Sequence, residues 1–311
     1  MKRIVFMGTS EFGIPTLREL HKHHDIAAVV TGPDSAQGRG RKQGPTPIKT
    51  ASLELGLDVI EAENLTDPAF ISRLKNFGTD LFYVVAFRIL PVEVYSIPPD
   101  RTINLHASLL PDYRGAAPIN RAVINGDSET GLTTFFIEKT VDTGEIILNM
   151  PVTISPDETA GELSSRMMEI GAVLSLKTVE LVEREQSAGL KQPSKGQRPA
   201  PKLKKQDGRI DWTNNARTIH NQVRGMNPWP GAFTEWSGGL LKIHRTKLVD
   251  ENIPGEPGII TELSPRDGMV ISCGKGMLRI LELQPPGKKP MDSASFVRGH
   301  RIEPGKHINE L

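Results

Sequence analysis

Two polar side chains, Asn104 and His106, interrupt an otherwise apolar run at residues 102–106. Alternate side chains of a β-strand point to the same face, so a strand here places the amide and the imidazole side by side. A buried amide or imidazole needs hydrogen-bond partners, which are either structural groups or a ligand. One such residue is more often structural. Two on one face, at the carboxyl end of a parallel strand where open α/β sheets bind ligands, favour a functional site.

Asp142 is a third candidate, in a turn predicted at Asp142–Gly144. Taken alone it is best interpreted as a turn residue, because Asp side chains bond to neighbouring backbone groups in turns. The segment Ser108–Pro111, just after His106, predicts a tight loop whose backbone groups can hold a flat heterocycle.

Other patterns exclude several kinds of site. The spacing of Gly8 and Gly13 is not that of G-x-G-x-x-G, and no acidic residue ends the apolar run Ile26–Thr31, which argues against a nicotinamide dinucleotide. For these glycines a tight strand-to-helix turn and a ligand-binding turn both stay open. The 8 His are scattered and the single Cys273 cannot build a thiolate site, so no metal site is predicted. Walker A and G-x-S-x-G motifs are absent.

Apolar runs and helical patterns alternate in the first part of the chain, which predicts βαβ units and a mainly parallel sheet. Apolar residues at helical steps predict a long helix over Thr159–Glu185. Residues 32–49 predict a long basic loop, and residues 189–206 have the composition of a linker. Short strand-like runs between Gly/Pro turns follow, which predict a small β-barrel or sandwich. The strands predicted before the linker lie at 3–8, 26–31, 58–62, 81–87, 102–106, 133–139 and 145–154.

The composition indicates a globular protein of two domains, because one core stops growing near roughly 250–300 residues and this chain has 311. A single cysteine excludes an internal disulfide framework. The sequence has no run of about 18 apolar residues, so no membrane span is predicted. The first apolar run ends at Gly8, too early for a signal peptide, so a cytoplasmic location is expected.

The net charge of +1 conceals an asymmetry between the two parts of the chain. Residues 1–190 carry 18 Lys+Arg and 25 Asp+Glu, a balance of −7, whereas residues 191–311 carry 20 and 12, a balance of +8. A basic domain that contacts a polyanion and a basic domain that is merely soluble both fit this asymmetry.

The sequence resembles the methionyl-tRNA formyltransferases. The resemblance rests first on Asn104–Pro111 and Val141–Gly144, and it extends over nearly the whole chain. The chain departs from the family's usual pattern at Ser10, where Pro is usual, and at Ala86–Pro91, which is one residue shorter. Further matching segments are Met7–Thr9, Glu11–Phe12, Gly38–Lys42, Tyr113–Pro118, Arg209–Trp212, Asn227–Ala232 and Gln284–Lys289.

The resemblance implies an α/β fold, with an N-terminal Rossmann-like formyltransferase domain and a C-terminal small, OB-like β-barrel. It implies a catalytic domain over 1–188, a linker over 189–206 and a tRNA-binding barrel over 207–311. The implied reaction moves the formyl group of 10-formyltetrahydrofolate to the free amino group of methionyl initiator tRNA, giving N-formylmethionyl-tRNA for translation initiation. The implied partners are charged initiator tRNA and folate. Neither a metal nor a membrane is expected, and a monomer is expected.

The resemblance also implies roles for particular residues. Asn104 and His106 donate hydrogen bonds to the oxyanion of a tetrahedral centre, and Asp142 moves the proton from the amine to the leaving folate nitrogen. The expected folate-binding residues are Ser108, Leu109, Leu110, Pro111, Phe87, Ile89 and Leu90. The expected tRNA-binding residues are Arg39, Arg41, Lys42, Lys204 and Lys205.

Rival interpretations remain for the whole chain and for two of its features. Formyltransferases of glycinamide ribonucleotide or of amino sugars share the Asn/His/Asp set, but the basic loop at 37–49 favours the tRNA branch. An RNA-binding protein with a degenerate nucleotide fold is disfavoured by the intact set Asn104, His106 and Asp142. The basic loop is alternatively a solvated charge run. Trp229 either stacks on a base or, as the favoured interpretation, anchors a core or a contact between domains.

Overall fold

The computed structural model describes residues 1–37, 42–185, 189–193, 198–236 and 239–310. The α-helices in these ranges are α1 (Ile14–His23), α2 (Pro47–Glu54), α3 (Pro68–Asn76), α4 (Val92–Tyr95), α5 (Pro118–Ile124), α6 (Ala160–Glu183), α7 (Ala216–Gly225) and α8 (Ser293–Gly299). The strands are β1 (Arg3–Gly8), β2 (Asp25–Thr31), β3 (Ser35–Gln37), β4 (Lys42–Gly44), β5 (Val59–Glu61), β6 (Leu81–Val85), β7 (Thr102–His106), β8 (Arg114–Gly115), β9 (Glu129–Phe136), β10 (Ile146–Thr153), β11 (Pro199–Ala200), β12 (Ala232–Trp236), β13 (Gly239–Pro254), β14 (Ile260–Ser264), β15 (Gly268–Ser272), β16 (Lys275–Gln284) and β17 (Met291–Asp292).

The first large sheet is mainly parallel and has the strand order β10-β9-β7-β6-β1-β2-β5. Within this order, the neighbouring strands β7, β6, β1, β2 and β5 all pair in parallel. Strand β9 pairs antiparallel with β7. The central strands β1 and β6 are buried along nearly their whole length, which is typical of a parallel sheet covered on both faces. The predicted mainly parallel sheet is confirmed.

Local sequence determines where the helices begin. Thr46 and Asp67 accept hydrogen bonds from first-turn N–H groups of α2 and α3, and a proline follows each cap. At the start of α6 the Thr159 hydroxyl accepts from the Glu162 N–H at 3.2 Å, while the Glu162 carboxylate accepts from the Thr159 N–H at 2.9 Å. Of the helices in the described part of the chain, none has the length and hydropathy that a membrane span requires.

The second large sheet is antiparallel, with the order β12-β13-β16-β15-β14 and β17 paired with β16. Its core contains Trp212 from the segment before α7, Ile219 and Val223 from α7, and Phe296 from α8. The Trp212 indole N–H donates to the Thr234 hydroxyl at 3.1 Å, so the polar edge of this buried ring is satisfied. The chain thus has a mainly parallel N-terminal sheet and an antiparallel C-terminal sheet, which confirms the predicted fold class.

Backbone contacts divide the chain into two compact units that are not continuous in sequence. The first unit comprises Met1–Gly115, Thr130–Val152 and Ser164–Ala200, and it contains the parallel sheet. The second comprises Ala116–Glu129, Thr153–Leu163 and Pro201–Leu311, and it contains the antiparallel sheet.

Two segments expected to be irregular contain pairing of their own. The loop predicted at 32–49 includes the antiparallel pair β3–β4, and α2 begins before it ends. In the segment predicted as a linker, Leu190 bridges to Ile146, and β11 pairs in parallel with β8. The segment predicted as a linker therefore forms backbone pairs with other parts of the first unit. Its Lys-, Gln- and Pro-rich composition did not predict this pairing.

We expect Cys273 to be unreactive in the folded protein. The side chain is fully buried, and burial raises the pKa of its thiol to about 12, so almost no thiolate forms near neutral pH. A thiol reagent at pH 8 should leave the native protein unmodified and modify its single cysteine once denaturant is added. Rapid modification without denaturant would contradict the packing of this residue.

Candidate active site

Asn104 and His106 lie on β7, whose bounds coincide with the predicted strand. Asn104 is half-buried, and its side chain has no hydrogen-bond partner among the described residues. His106 is 7% exposed, and its Nε2 lies 2.9 Å from the Tyr113 carbonyl oxygen. Because a carbonyl only accepts, Nε2 carries the hydrogen and donates it, which leaves Nδ1 as the nitrogen available for chemistry.

Asp142 faces that free nitrogen. The His106 Nδ1 and Asp142 Oδ2 atoms are 3.8 Å apart, and both side chains are largely buried. The separation exceeds a direct hydrogen bond, so in the neutral state a lone pair and a carboxylate face each other across a small gap. The Gly115 N–H donates to the same Oδ2 at 2.9 Å. The structure thus brings Asp142 next to His106, and the pair can receive and return a proton.

The turn that holds Asp142 depends on a glycine. A Cβ added to Gly144 would lie 1.6 Å from the Phe136 carbonyl oxygen, far inside van der Waals contact with backbone. The Phe136 N–H donates to the Glu145 carbonyl at 3.0 Å, which closes the chain around this glycine. Gly144 therefore lets the segment pass close enough to β9 for Asp142 to reach His106.

We expect Gly144→Ala to destabilise the protein, because the added methyl group must displace backbone rather than a flexible side chain. The free energy of unfolding should fall by roughly 1–3 kcal/mol or more, measured by denaturant titration. The matched control is Gly299→Ala, where a Cβ would meet nothing within 4 Å. Equal stability of the two variants would contradict the close approach of Gly144 to Phe136.

The loop after His106 is held by internal hydrogen bonds. The Thr133 hydroxyl donates to the Ser108 carbonyl at 2.7 Å and accepts from the Leu110 N–H at 3.1 Å. The Ser108 hydroxyl donates to the Asp112 carbonyl at 2.6 Å, and the Leu110–Pro111 peptide bond is cis. Two of the backbone groups that were expected to face a heterocycle are therefore already bonded to Thr133. Leu109 and Pro111 are half-buried, whereas Ser108 and Leu110 are buried.

Within the segment 87–90, the three residues predicted to line the folate site differ in how exposed their side chains are. β6 ends at Val85, before the predicted strand end, because Ala86 adopts a left-handed φ of 49°. Leu90 belongs to a core cluster, and Phe87 is half-buried against the same cluster. Ile89 is 74% exposed, so of the three it presents the largest free apolar surface.

The predicted tRNA-binding residues are placed only in part. Arg39 and Arg41 lie outside the described residues, and for Lys42 the structure describes the backbone, in β4, but not the side chain. Lys204 and Lys205 are exposed at the start of a 3-10 turn over Lys205–Gly208. Trp229 is 51% exposed, so its interpretation as a core anchor is wrong.

Three residues of the site were not predicted from the sequence. Tyr113 supplies a carbonyl to His106, Gly115 supplies an N–H to Asp142, and Thr133 fixes the loop. Two of the contacts are made by backbone atoms, for which the residue type carries no signal. Thr133 was expected to be an ordinary strand residue. In the ranges that the structure describes, no group of three or more His, Cys, Asp or Glu side chains is placed to hold a metal ion.

Comparison with known proteins first gives the class of enzyme. The family described as Formyl transferase matches residues 1–179, and the family described as Formyl transferase, C-terminal domain, matches residues 202–301. A solved sugar 3N-formyl transferase, WlaRD, has a TM-score of 0.69 at 20% identity and covers 93% of this chain and 99% of its own, which shows a shared fold. The chain is thus a formyltransferase of two-domain architecture.

Close relatives narrow the class. A methionyl-tRNA formyltransferase of Moorella thermoacetica is 43% identical over 306 residues, covering 98% of this chain and 98% of the relative. Another, from Symbiobacterium thermophilum, is 44% identical over 312 residues, covering 99% and 96%. The chain belongs to the methionyl-tRNA formyltransferase family.

Proposed function

We propose that Asn104, His106 and Asp142 carry out the formyl transfer of this family on charged initiator tRNA. The donor is 10-formyltetrahydrofolate, and the acceptor is the free amino group of the methionine esterified to the tRNA. The observation that carries the proposal is the arrangement at the end of β7, where the His106 Nδ1 faces the Asp142 carboxylate at 3.8 Å and the Asn104 amide has no partner in the described chain.

The reaction needs an acceptor for one proton and donors for one developing charge. The amine nitrogen attacks the formyl carbon, a new C–N bond forms, and the carbonyl electron pair moves onto oxygen. The Asn104 amide N–H donates to that oxyanion, as preorganised donors do in acyl transfer. The proton released by the attacking nitrogen passes to Asp142, directly or through the His106 Nδ1.

Collapse of the tetrahedral centre restores the carbonyl and breaks the bond to the folate nitrogen. That nitrogen takes the proton which Asp142 and His106 hold, so tetrahydrofolate and N-formylmethionyl-tRNA leave with atoms and charges balanced. With its Nε2 hydrogen donated to Tyr113, His106 acts at Nδ1 in this geometry. Once protonated there, the imidazolium is a charged donor, which is the role toward the oxyanion that was expected of His106.

The folate donor is expected at the loop 108–111 and the segment 87–90. Ile89, Phe87 and Leu109 offer exposed or half-buried apolar surface for an aromatic ring system. Ser108, Leu110, Pro111 and Leu90 complete the expected set. We infer that the buried members Ser108, Leu110 and Leu90 shape the site from behind rather than contact the ligand with free polar groups.

The tRNA is expected to bind through Arg39, Arg41 and Lys42 near its acceptor end and through Lys204 and Lys205 along its backbone. On this proposal the functional boundaries are a catalytic domain at 1–188, a linker at 189–206 and a tRNA-binding domain at 207–311. A cytoplasmic location and a monomeric state are part of the same proposal.

We expect the double variant Lys204→Gln/Lys205→Gln to weaken tRNA binding and to reduce its salt dependence. Each lysine that contacts a phosphate releases counterions, so the slope of log K against log salt concentration should fall by roughly 1 to 2. The measurement is a binding titration at several salt concentrations. The control, Lys75→Gln/Lys177→Gln, removes two exposed lysines from the first unit. The same slope in both double variants would remove these lysines from the tRNA-binding surface.

One assay tests the proposed acceptor. The enzyme is incubated with 10-formyltetrahydrofolate and, separately, with methionyl initiator tRNA, uncharged initiator tRNA and an amino-sugar nucleotide. Formylation of the charged tRNA alone supports the proposal. Formylation of the amino sugar would reassign the substrate, and transfer to uncharged tRNA would show that the amino acid is not the acceptor.

A further inference from the structure

We propose that Gln192 is a positioning residue for Asp142 and thereby sets the rate of formyl transfer. This inference rests on the proposed role of Asp142. Gln192 is half-buried in a segment whose composition predicted only a linker, and nothing in its sequence context marked it as part of a site.

Both hydrogens of the Gln192 amide bond to the turn that carries Asp142. The Nε2 atom donates to the Asp142 carbonyl oxygen at 3.0 Å and to the Gly144 carbonyl oxygen at 2.8 Å. A primary amide has two N–H donors, so this turn uses the full donor capacity of the side chain. The turn is therefore fastened on both sides of Thr143 by a single residue.

The acceptor end of Gln192 is held in turn. Its Oε1 accepts from the Arg114 Nη2 at 2.5 Å and from the Arg114 Nε at 3.2 Å. The guanidinium fork fixes the orientation of the amide, because only an oxygen at this position accepts both bonds. With that end assigned to oxygen, the opposite end must present the two N–H groups to the turn.

A closed ring of contacts results. Arg114 holds Gln192, Gln192 holds the Asp142 backbone, and the Gly115 N–H next to Arg114 donates to the Asp142 carboxylate. Gly115 has a φ of 125°, and a Cβ there would lie 2.6 Å from the Ala200 carbonyl oxygen. The Gln192 side chain thus fixes the backbone of Asp142, and Gly115 of the short strand β8 fixes its carboxylate.

Asp142 needs such support because of its backbone conformation. Its φ is 54°, in the left-handed region that residues with a Cβ adopt at a cost. A strained conformation persists only where surrounding contacts determine it. Without the Gln192 donors the turn can relax, and a small displacement of the carboxylate from His106 is enough to slow proton transfer.

The test is Gln192→Glu, which keeps the side-chain volume and the acceptor for Arg114 but replaces both donors by a carboxylate oxygen that repels the two carbonyls. We expect kcat to fall roughly 10-fold to 100-fold, with the KM values for folate and tRNA nearly unchanged. As the pH is lowered, protonation of the introduced carboxylate restores one donor, so the ratio of the variant's kcat to that of the wild type should rise. The control Lys191→Gln changes the net charge equally at the adjacent exposed residue and should keep wild-type kcat.

A second variant keeps the inference testable if Gln192→Glu folds poorly. Arg114→Met releases the acceptor end of Gln192 and leaves the donors in place, so a smaller loss of kcat with unchanged KM is expected. Circular dichroism and thermal unfolding verify the fold of each variant. A folded Gln192→Glu protein with wild-type kcat at every pH overturns the inference. If Asp142→Asn loses activity while Gln192→Glu does not, only the role of Gln192 fails; if Asp142→Asn keeps full activity, the proposed function of Asp142 fails first.

Discussion

The Asp142→Asn variant is expected to fold normally and to lose roughly 100-fold to 10,000-fold of kcat, the range typical of general acid–base groups. In the wild type the Gly115 N–H donates to the Asp142 Oδ2 at 2.9 Å. The asparagine amide keeps an oxygen that accepts this bond, so the conformation of the turn should be retained. What disappears is the carboxylate that takes the proton from the attacking amine. Binding of both substrates should persist, so the loss appears in kcat rather than in KM.

The matched control for this experiment is Asp58→Asn. Asp58 and Arg73 are both about half exposed, and their Oδ2 and Nη2 atoms form a surface ion pair at 3.1 Å. Such an exposed pair contributes little to stability. Its kcat should equal that of the wild type. Near-normal turnover of a folded Asp142→Asn protein would contradict the assignment of Asp142 as the proton carrier.

The second large effect is expected from Asn104→Asp, with a rate loss of roughly 100-fold to 1,000-fold, as for removal of one oxyanion donor. The substitution preserves shape on β7 but replaces the NH₂ group, which carries both donors of the side chain, by a second acceptor oxygen. A carboxylate placed beside a developing oxyanion repels it, so the transition state is destabilised more than the bound substrates. Single-turnover measurements with saturating folate report this step directly.

Asn64→Asp is the control for that change. The Asn64 Oδ1 accepts from the Thr66 N–H and hydroxyl at 3.0 and 2.8 Å, and an aspartate keeps both bonds at an exposed position. The same amide-to-acid replacement should therefore leave the rate unchanged there. If Asn104→Asp retains the wild-type single-turnover rate, the Asn104 amide is structural and the oxyanion must find its donors elsewhere.

Much of the fold was predictable because its signals are local. β7 was predicted residue for residue from a short segment in which Ile103 and Leu105 alternate with polar residues, as in a strand. The long helix α6 was anticipated from its periodicity, and its start follows from the reciprocal Thr159–Glu162 cap. The antiparallel C-terminal sheet followed from short apolar runs between glycines and prolines.

Elements with mixed patterns were missed. α7 was not predicted, because its buried face includes His220, Asn221 and Arg224 alongside apolar residues. The buried His220 is satisfied by a tertiary contact, because its Nδ1 lies 2.9 Å from the Thr246 hydroxyl oxygen. Trp229 was assigned to an anchoring role from its residue type and its proline neighbours, whereas the structure leaves the residue 51% exposed.

The sequence by itself determined which side chains are available for chemistry: an amide and an imidazole on one strand face, and a turn carboxylate downstream. Only the tertiary structure decided how they act. The Tyr113 carbonyl selects Nδ1 of His106 as the free nitrogen, and Gln192 with Gly115 aims Asp142 at it. These decisions are made by backbone atoms and by a residue distant in sequence, so strand periodicity and motif spacing contain no record of them.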